Sequence, residues 1–208
     1  MKIRLILLLI ILSLFYSCEK EEENNPTEDL DTFLVIGDNN ATVRILDTVL
    51  NFYIYYYGDG SMENKIDIDF NGINDVAFEI SAYSKLGYFF SDFIFKCLND
   101  KTKVLTNDSI LSPEILDYGD TLNVDNNWVR ENMEILSVDY ASQVVGGDGI
   151  IHHYGNWYDL SNVYIGIIIE NDENPVYGWI KLSISGGFTS SVTIHEIGYK
   201  KAAYNIEL

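Results

Sequence analysis

Near the C-terminal end, three runs are separated only by short breaks: VYIGIIIE (163–170), VYGWIKLSI (176–184) and SVTIHEI (191–197). Each is short and rich in β-branched and aromatic residues, and the breaks NDENP and SGGFTS carry turn chemistry. Three strands joined so closely are expected to form an antiparallel meander. The same texture recurs in VLNFYIYYY and DVAFEIS, whereas alanine, the best helix former, is scarce. One short helical turn is expected at SPEIL, where Ser112 can cap and a proline follows. The chain is therefore expected to be all-β, with a single antiparallel β-sandwich, jelly-roll-like, over residues 32–208. A β-barrel is the alternative.

The opening MKIRLILLLIILSLFYSC has the parts of an export signal: Lys2 and Arg4, an apolar run from Leu5 to Leu14, then Ser17 before Cys18. The run falls short of the roughly 20 apolar residues a membrane-spanning helix needs. Residues 1–17 are thus read as a signal peptide. LFYSC resembles the lipobox of bacterial lipoproteins, which implies cleavage before Cys18 and acylation of its thiol, a palmitate-type anchor. Residues 18–31, from Cys18 through EKEEENNPTEDLD, have dense like charge and no apolar pattern, the composition of a solvated tether. This segment resembles the acidic run that marks surface export in Bacteroidetes-type bacteria. The expected address is the outer membrane, lipid-anchored and facing the cell surface.

Without Lys2 and Arg4 the chain keeps 11 basic against 32 acidic side chains, a net charge of −21. Such a chain is repelled by nucleic acid, which is excluded as a partner. The charge suits a cation, or a neutral partner such as a glycan or a surface protein. With Cys18 acylated, Cys97 is left alone and no disulfide contributes to stability.

The stretch DIDFNGIND, Asp67 to Asp75, carries the strongest chemical signal. Asp67, Asp69 and Asn71 alternate, Gly72 permits a sharp turn, Ile73 offers a carbonyl and Asp75 follows, a spacing that suits a calcium loop. Phe78 stands where an EF-hand would place its bidentate glutamate, so this is not an EF-hand. The competing reading is a hairpin turning on Asn71-Gly72. Residue parity separates them. A two-residue turn would set Val76, Phe78 and Ile80 on the face of Asp67 and Asp69, opposite Ile66, Ile68 and Phe70. Putting both apolar sets on one face needs a bulge or a loop that leaves strand geometry. Calcium bound at Asp67, Asp69, Asn71, Ile73 and Asp75 is the expectation, with an acidic bulged hairpin as the alternative.

Elsewhere chemistry is sparse. His152 and His153, and likewise His195 and Glu196, are sequence neighbours, expected on opposite faces of a strand and unable to share a ligand. No catalytic motif is visible and enzymatic activity is not expected. Tyr53, Tyr55 and Tyr57 share one strand face, and Tyr177 and Trp179 another. Either row could stack on sugar rings if it faces away from the core, or pack within the sheets.

Together IDIDFNGINDVAFEIS (66–81), GNWYDLSNVYIGIIIENDENPVYGWIKLSIS (155–185) and VTIHEIGYKKAAYN (192–205) resemble a group of uncharacterised exported and lipoprotein β-domains. Members share a D-x-D-x-D-G loop, a Y-G-W-I/V-R/K-L strand and a closing strand ending in Ala-Tyr. Asn71 and Lys181 depart from that pattern. The resemblance implies the architecture and carries no assigned activity. Non-catalytic binding or adhesion, with glycan as one ligand class, is the expected role. A structural or accessory part of an outer-membrane assembly is the alternative, and a hydrolase the more distant one.

Overall fold

The computed structural model describes residues 33–53, 60–85, 88–107, 112–141, 150–171, 174–185 and 189–202. Asp31–Leu208 form one compact unit. Cys18, the tether, Tyr55 and Tyr57 lie outside the described residues, as does the side chain of Tyr53. Among the described residues no helix is long and apolar enough to cross a membrane.

These residues build three antiparallel sheets. The first has the order β10 (Ile150–Tyr154), β9 (Met133–Ala141), β5 (Tyr88–Cys97), β4 (Val76–Lys85), β3 (Gly60–Ile66). The second has the order β2 (Thr42–Tyr53), β13 (Thr189–Lys201), β12 (Val176–Ser185), β11 (Leu160–Ile169), β6 (Thr102–Leu105), β8 (Trp128–Val129). A small third sheet pairs β1 (Phe33–Val35) with β7 (Thr121–Asn123). Among the described residues the fold is all-β and sandwich-like, with no closed barrel. The expected C-terminal meander is present: Ile165 pairs Ile180, and Ile180 pairs Ile197.

Strand alternation explains the core. Val76, Phe78 and Ile80 of β4 and Phe93 and Phe95 of β5 meet Ile180, Leu182 and Ile184 of β12 and Ile165 and Ile167 of β11 in one buried cluster. Fully burying each such side chain contributes about 1.5–3 kcal/mol. The other face of the second sheet is covered as well. Leu34, Ile36 and Leu122, on or beside β1 and β7, pack with Tyr164, Ile168, Tyr177 and Trp179 in a second cluster. β11 is consequently buried on both faces, which is why its sequence is a nearly unbroken apolar run.

The helical turn expected at SPEIL does not form. Pro113 bridges to Thr106 and Leu116 to Tyr164, with Leu116 and Tyr164 exchanging N–H···O bonds of 3.0 Å each. Leu116 is 5% exposed, and its burial in the second cluster outweighs the capping preference of Ser112.

Candidate metal centre

β3 ends at Ile66 and β4 begins at Val76, and these two residues pair directly, as do Asn64 with Phe78. Residues 67–75 therefore leave strand geometry altogether. Even-numbered residues of both strands share the core face, the phase that a two-residue turn at Asn71-Gly72 cannot produce.

Two apolar side chains pin the loop. Ile68 is fully buried in the main core, where a Cβ on Gly178 would come within 2.6 Å of its Cγ2. The glycine of the YGW run thus leaves the space that Ile68 fills. Phe70 takes a left-handed backbone (φ 57°), unusual for a bulky residue. Its ring meets Tyr199 edge-on at 5.4 Å and carries the Arg44 guanidinium at 5.3 Å. Gly72 (φ 91°) supplies the second left-handed turn.

Backbone donors then aim the acidic groups. Asp67 accepts from the N–H of Asn71 at 3.1 Å and of Gly72 at 2.7 Å, and Asp69 from Asn71 N–H at 3.3 Å. Asp75 accepts from Ile68 N–H at 2.9 Å and from the Asn99 amide at 3.1 Å. Asp67, Asp69 and Asp75 each present a carboxylate oxygen, all within 4.8 Å of one another, an arrangement that can hold a metal ion. The Asn71 side-chain oxygen accepts from Ile73 N–H at 2.8 Å. Asn71 and Ile73 line, with Asp69 and Asp75, a depression of about 320 Å³.

Asp75 is only 2% exposed. Burial pushes its carboxyl above the ordinary range; the bonds from Ile68 and Asn99 oppose this, and the charges of Asp69 and Asp67 add to it. Asn99 was not legible as part of the site. Its oxygen accepts from Lys101 N–H, Thr102 N–H and the Thr102 hydroxyl (3.0, 2.9 and 2.8 Å), which fixes its amide toward Asp75. The residue sits 24 positions from Asp75, in the turn after β5, and no local spacing links the two. Asp100 and Glu170 reach the same depression from separate loops.

The aromatic expectation is corrected in part. Tyr177 and Trp179 do share a face away from the main core, but each is 1% exposed beneath the β1/β7 layer, out of reach of a sugar. The separation of His195 from Glu196 is corrected too. A register shift between Ile194 and Glu196 makes a bulge, and both side chains reach the face of Lys181 and Ser183. His195 Nε2 lies 2.8 Å from Ser183 Oγ, and Glu196 pairs with Lys181 at 3.4 Å. His152 and His153 lie on β10, with their side chains outside the description. Cys97 ends β5, where burial pushes its thiol up to about 11.

Comparison of the chain with protein-family models, with curated proteins and with solved structures finds no match. The class defined by fold and site is an antiparallel β-sandwich with an acidic cluster able to hold a metal ion.

Proposed function

We propose that the chain is a lipid-anchored cell-surface protein whose β-domain carries one calcium ion in the 67–75 loop. Its role is non-catalytic binding or adhesion, with a glycan as one ligand class. The observation that carries the metal reading is Asp75: a buried carboxylate whose charged neighbours, Asp69 and Asp67, both oppose its ionisation. A cation offsets that cost at all three groups. Calcium suits the donor set, since it accepts carboxylate, amide and carbonyl oxygens in a flexible shell of six to eight. Asn71 and the Ile73 carbonyl complete the proposed ligands beside Asp67, Asp69 and Asp75. The LFYSC run, the acidic tether and the resemblance to exported lipoprotein β-domains support the address.

Calorimetric titration of the chelator-treated chain with calcium tests the ion, and one saturable site is expected. Absence of heat and of any thermal stabilisation by calcium sinks it. Labelling cells with palmitate tests the anchor: label is expected on the wild type and absent from Cys18→Ala.

One observation favours the alternative of a structural or accessory role with a protein partner. Val43, Ile45 and Val49 are 46%, 71% and 49% exposed on β2, an edge strand.

A further inference from the structure

β2 and β3 are edge strands of the two large sheets, and a mostly polar cleft of about 260 Å³ opens between them. β2 contributes Arg44 and Thr48, β3 contributes Asn64 and Lys65, and the acidic loop contributes Phe70 and Asn74. Leu46, Ile66 and Ile197 supply an apolar floor, with Asp67 as the one carboxylate in the lining.

The charge here runs against the rest of the molecule. In a chain with 32 acidic and 13 basic residues, two basic residues, Arg44 and Lys65, line the same cleft. Lys65 is partly neutralised by Glu63 at 3.2 Å. Arg44 forms no ion pair among the described residues; its contact is the Phe70 ring at 5.3 Å. That contact holds the planar fork beside the cleft while leaving its N–H donors without a carboxylate. A fork so presented suits a carboxylate bound through two parallel hydrogen bonds. The remaining polar groups are neutral: the Asn64 and Asn74 amides both donate and accept, and the Thr48 hydroxyl, which donates to the Leu46 carbonyl at 3.4 Å, is left to accept, as recognition of hydroxyls requires. Asn64 has no side-chain hydrogen bond among the described residues. Its volume of about 260 Å³ lets the cleft accommodate one sugar ring.

We infer that this cleft binds a carboxylate-bearing sugar, a hexuronic acid residue. Arg44 takes the carboxylate, Thr48, Asn64 and Asn74 take ring hydroxyls, and the apolar face of the ring lies toward Leu46 and Ile197. The inference extends the glycan reading above; Arg44, Thr48 and Asn64 lie on strands outside the acidic loop, while Phe70 and Asn74 come from it, and the calcium response is read separately in the test.

The test is calorimetric or NMR titration of the chain with glucuronate and galacturonate, with glucose and acetate as controls. It is run on the wild type, Arg44→Ala and Arg44→Lys. Arg44 is exposed, so both variants are expected to fold, with melting temperature and calcium response as the check. A uronate is expected to bind the wild type. Arg44→Ala should weaken it by at least about tenfold, with Arg44→Lys intermediate because it keeps the charge and loses the fork. No uronate binding, or equal binding to wild type and Arg44→Ala, overturns the site. Acetate or glucose binding as tightly as a uronate overturns the ligand class. Uronate binding without a calcium response would remove the ion and leave this inference standing.

Discussion

Asp69→Asn should change the sign of its effect on stability when calcium is added. The substitution keeps an oxygen to accept from Asn71 N–H, at 3.3 Å in the wild type, and removes one charge. In chelator, Asp69 sits with oxygens within 4.8 Å of both Asp67 and Asp75. Each such like-charge pair costs roughly 1 kcal/mol at the dielectric of water, and more where water is excluded. The unfolded chain keeps part of that repulsion, so relief of about 1 kcal/mol is a fair expectation. It corresponds to a gain of about 2–4 °C in melting temperature. Calcium reverses the ranking. At about 100 times its dissociation constant, calcium adds roughly 2.7 kcal/mol to the wild type. If the lost charge weakens calcium binding about tenfold, the variant gains only about 1.4 kcal/mol at the same concentration. The assay is thermal unfolding followed by circular dichroism, both proteins in chelator and in calcium. Equal calcium shifts in the two proteins, or an equal loss in both buffers, would refute the reasoning.

Four further outcomes follow from the same geometry. Because the native state raises the pKa of Asp75, it holds that proton more tightly than the unfolded chain. In chelator this group's contribution to stability should therefore fall as pH rises from the unfolded carboxylate value through the raised native one. The calcium-dependent gain should grow over that range, since the ion needs the ionised group; melting curves in both buffers across it check the opposite slopes. Asn99→Ala removes a donor to Asp75 and the acceptor for Thr102, and should cost about 1–3 kcal/mol in chemical denaturation as well as weakening calcium binding. Gly178→Ala forces a Cβ to within 2.6 Å of Ile68 Cγ2 and should cost roughly 1–3 kcal/mol; calcium titration of the folded variant should show the loop displaced as a raised dissociation constant. Cys97, with its thiol at about 11, should react with a thiol reagent far more slowly than free cysteine at pH 8, and denaturant should abolish the difference.

Parity was the most informative local signal. Ile66, Val76, Phe78 and Ile80 are all even-numbered, which already required a bulge or a loop that leaves strand geometry, and the Ile66–Val76 pair shows that it is the loop. Side-chain alternation is a property of the backbone, so it survives in sequence without knowledge of the partner strand. The same alternation placed Tyr177 and Trp179 on one face correctly, yet could not say what that face meets. Leu34 and Leu122 cover it from positions more than fifty residues earlier in the chain. Their contact depends on how the sheets stack. The bulge at His195 is not legible locally for a related reason, since an extra residue in one strand is defined only against its neighbour.

By itself, the sequence determined that the chain would be strands, where the acidic loop falls, and which side chains alternate together. All of these follow from local propensity and a fixed side-chain period of two. Only the tertiary structure decided that Asn99 orients Asp75, that Ile68 fills the space left by Gly178, and that Arg44 and Asn64 meet across a cleft. Each of these joins residues brought together by sheet pairing and stacking, where burial and shape select among contacts that no local pattern encodes.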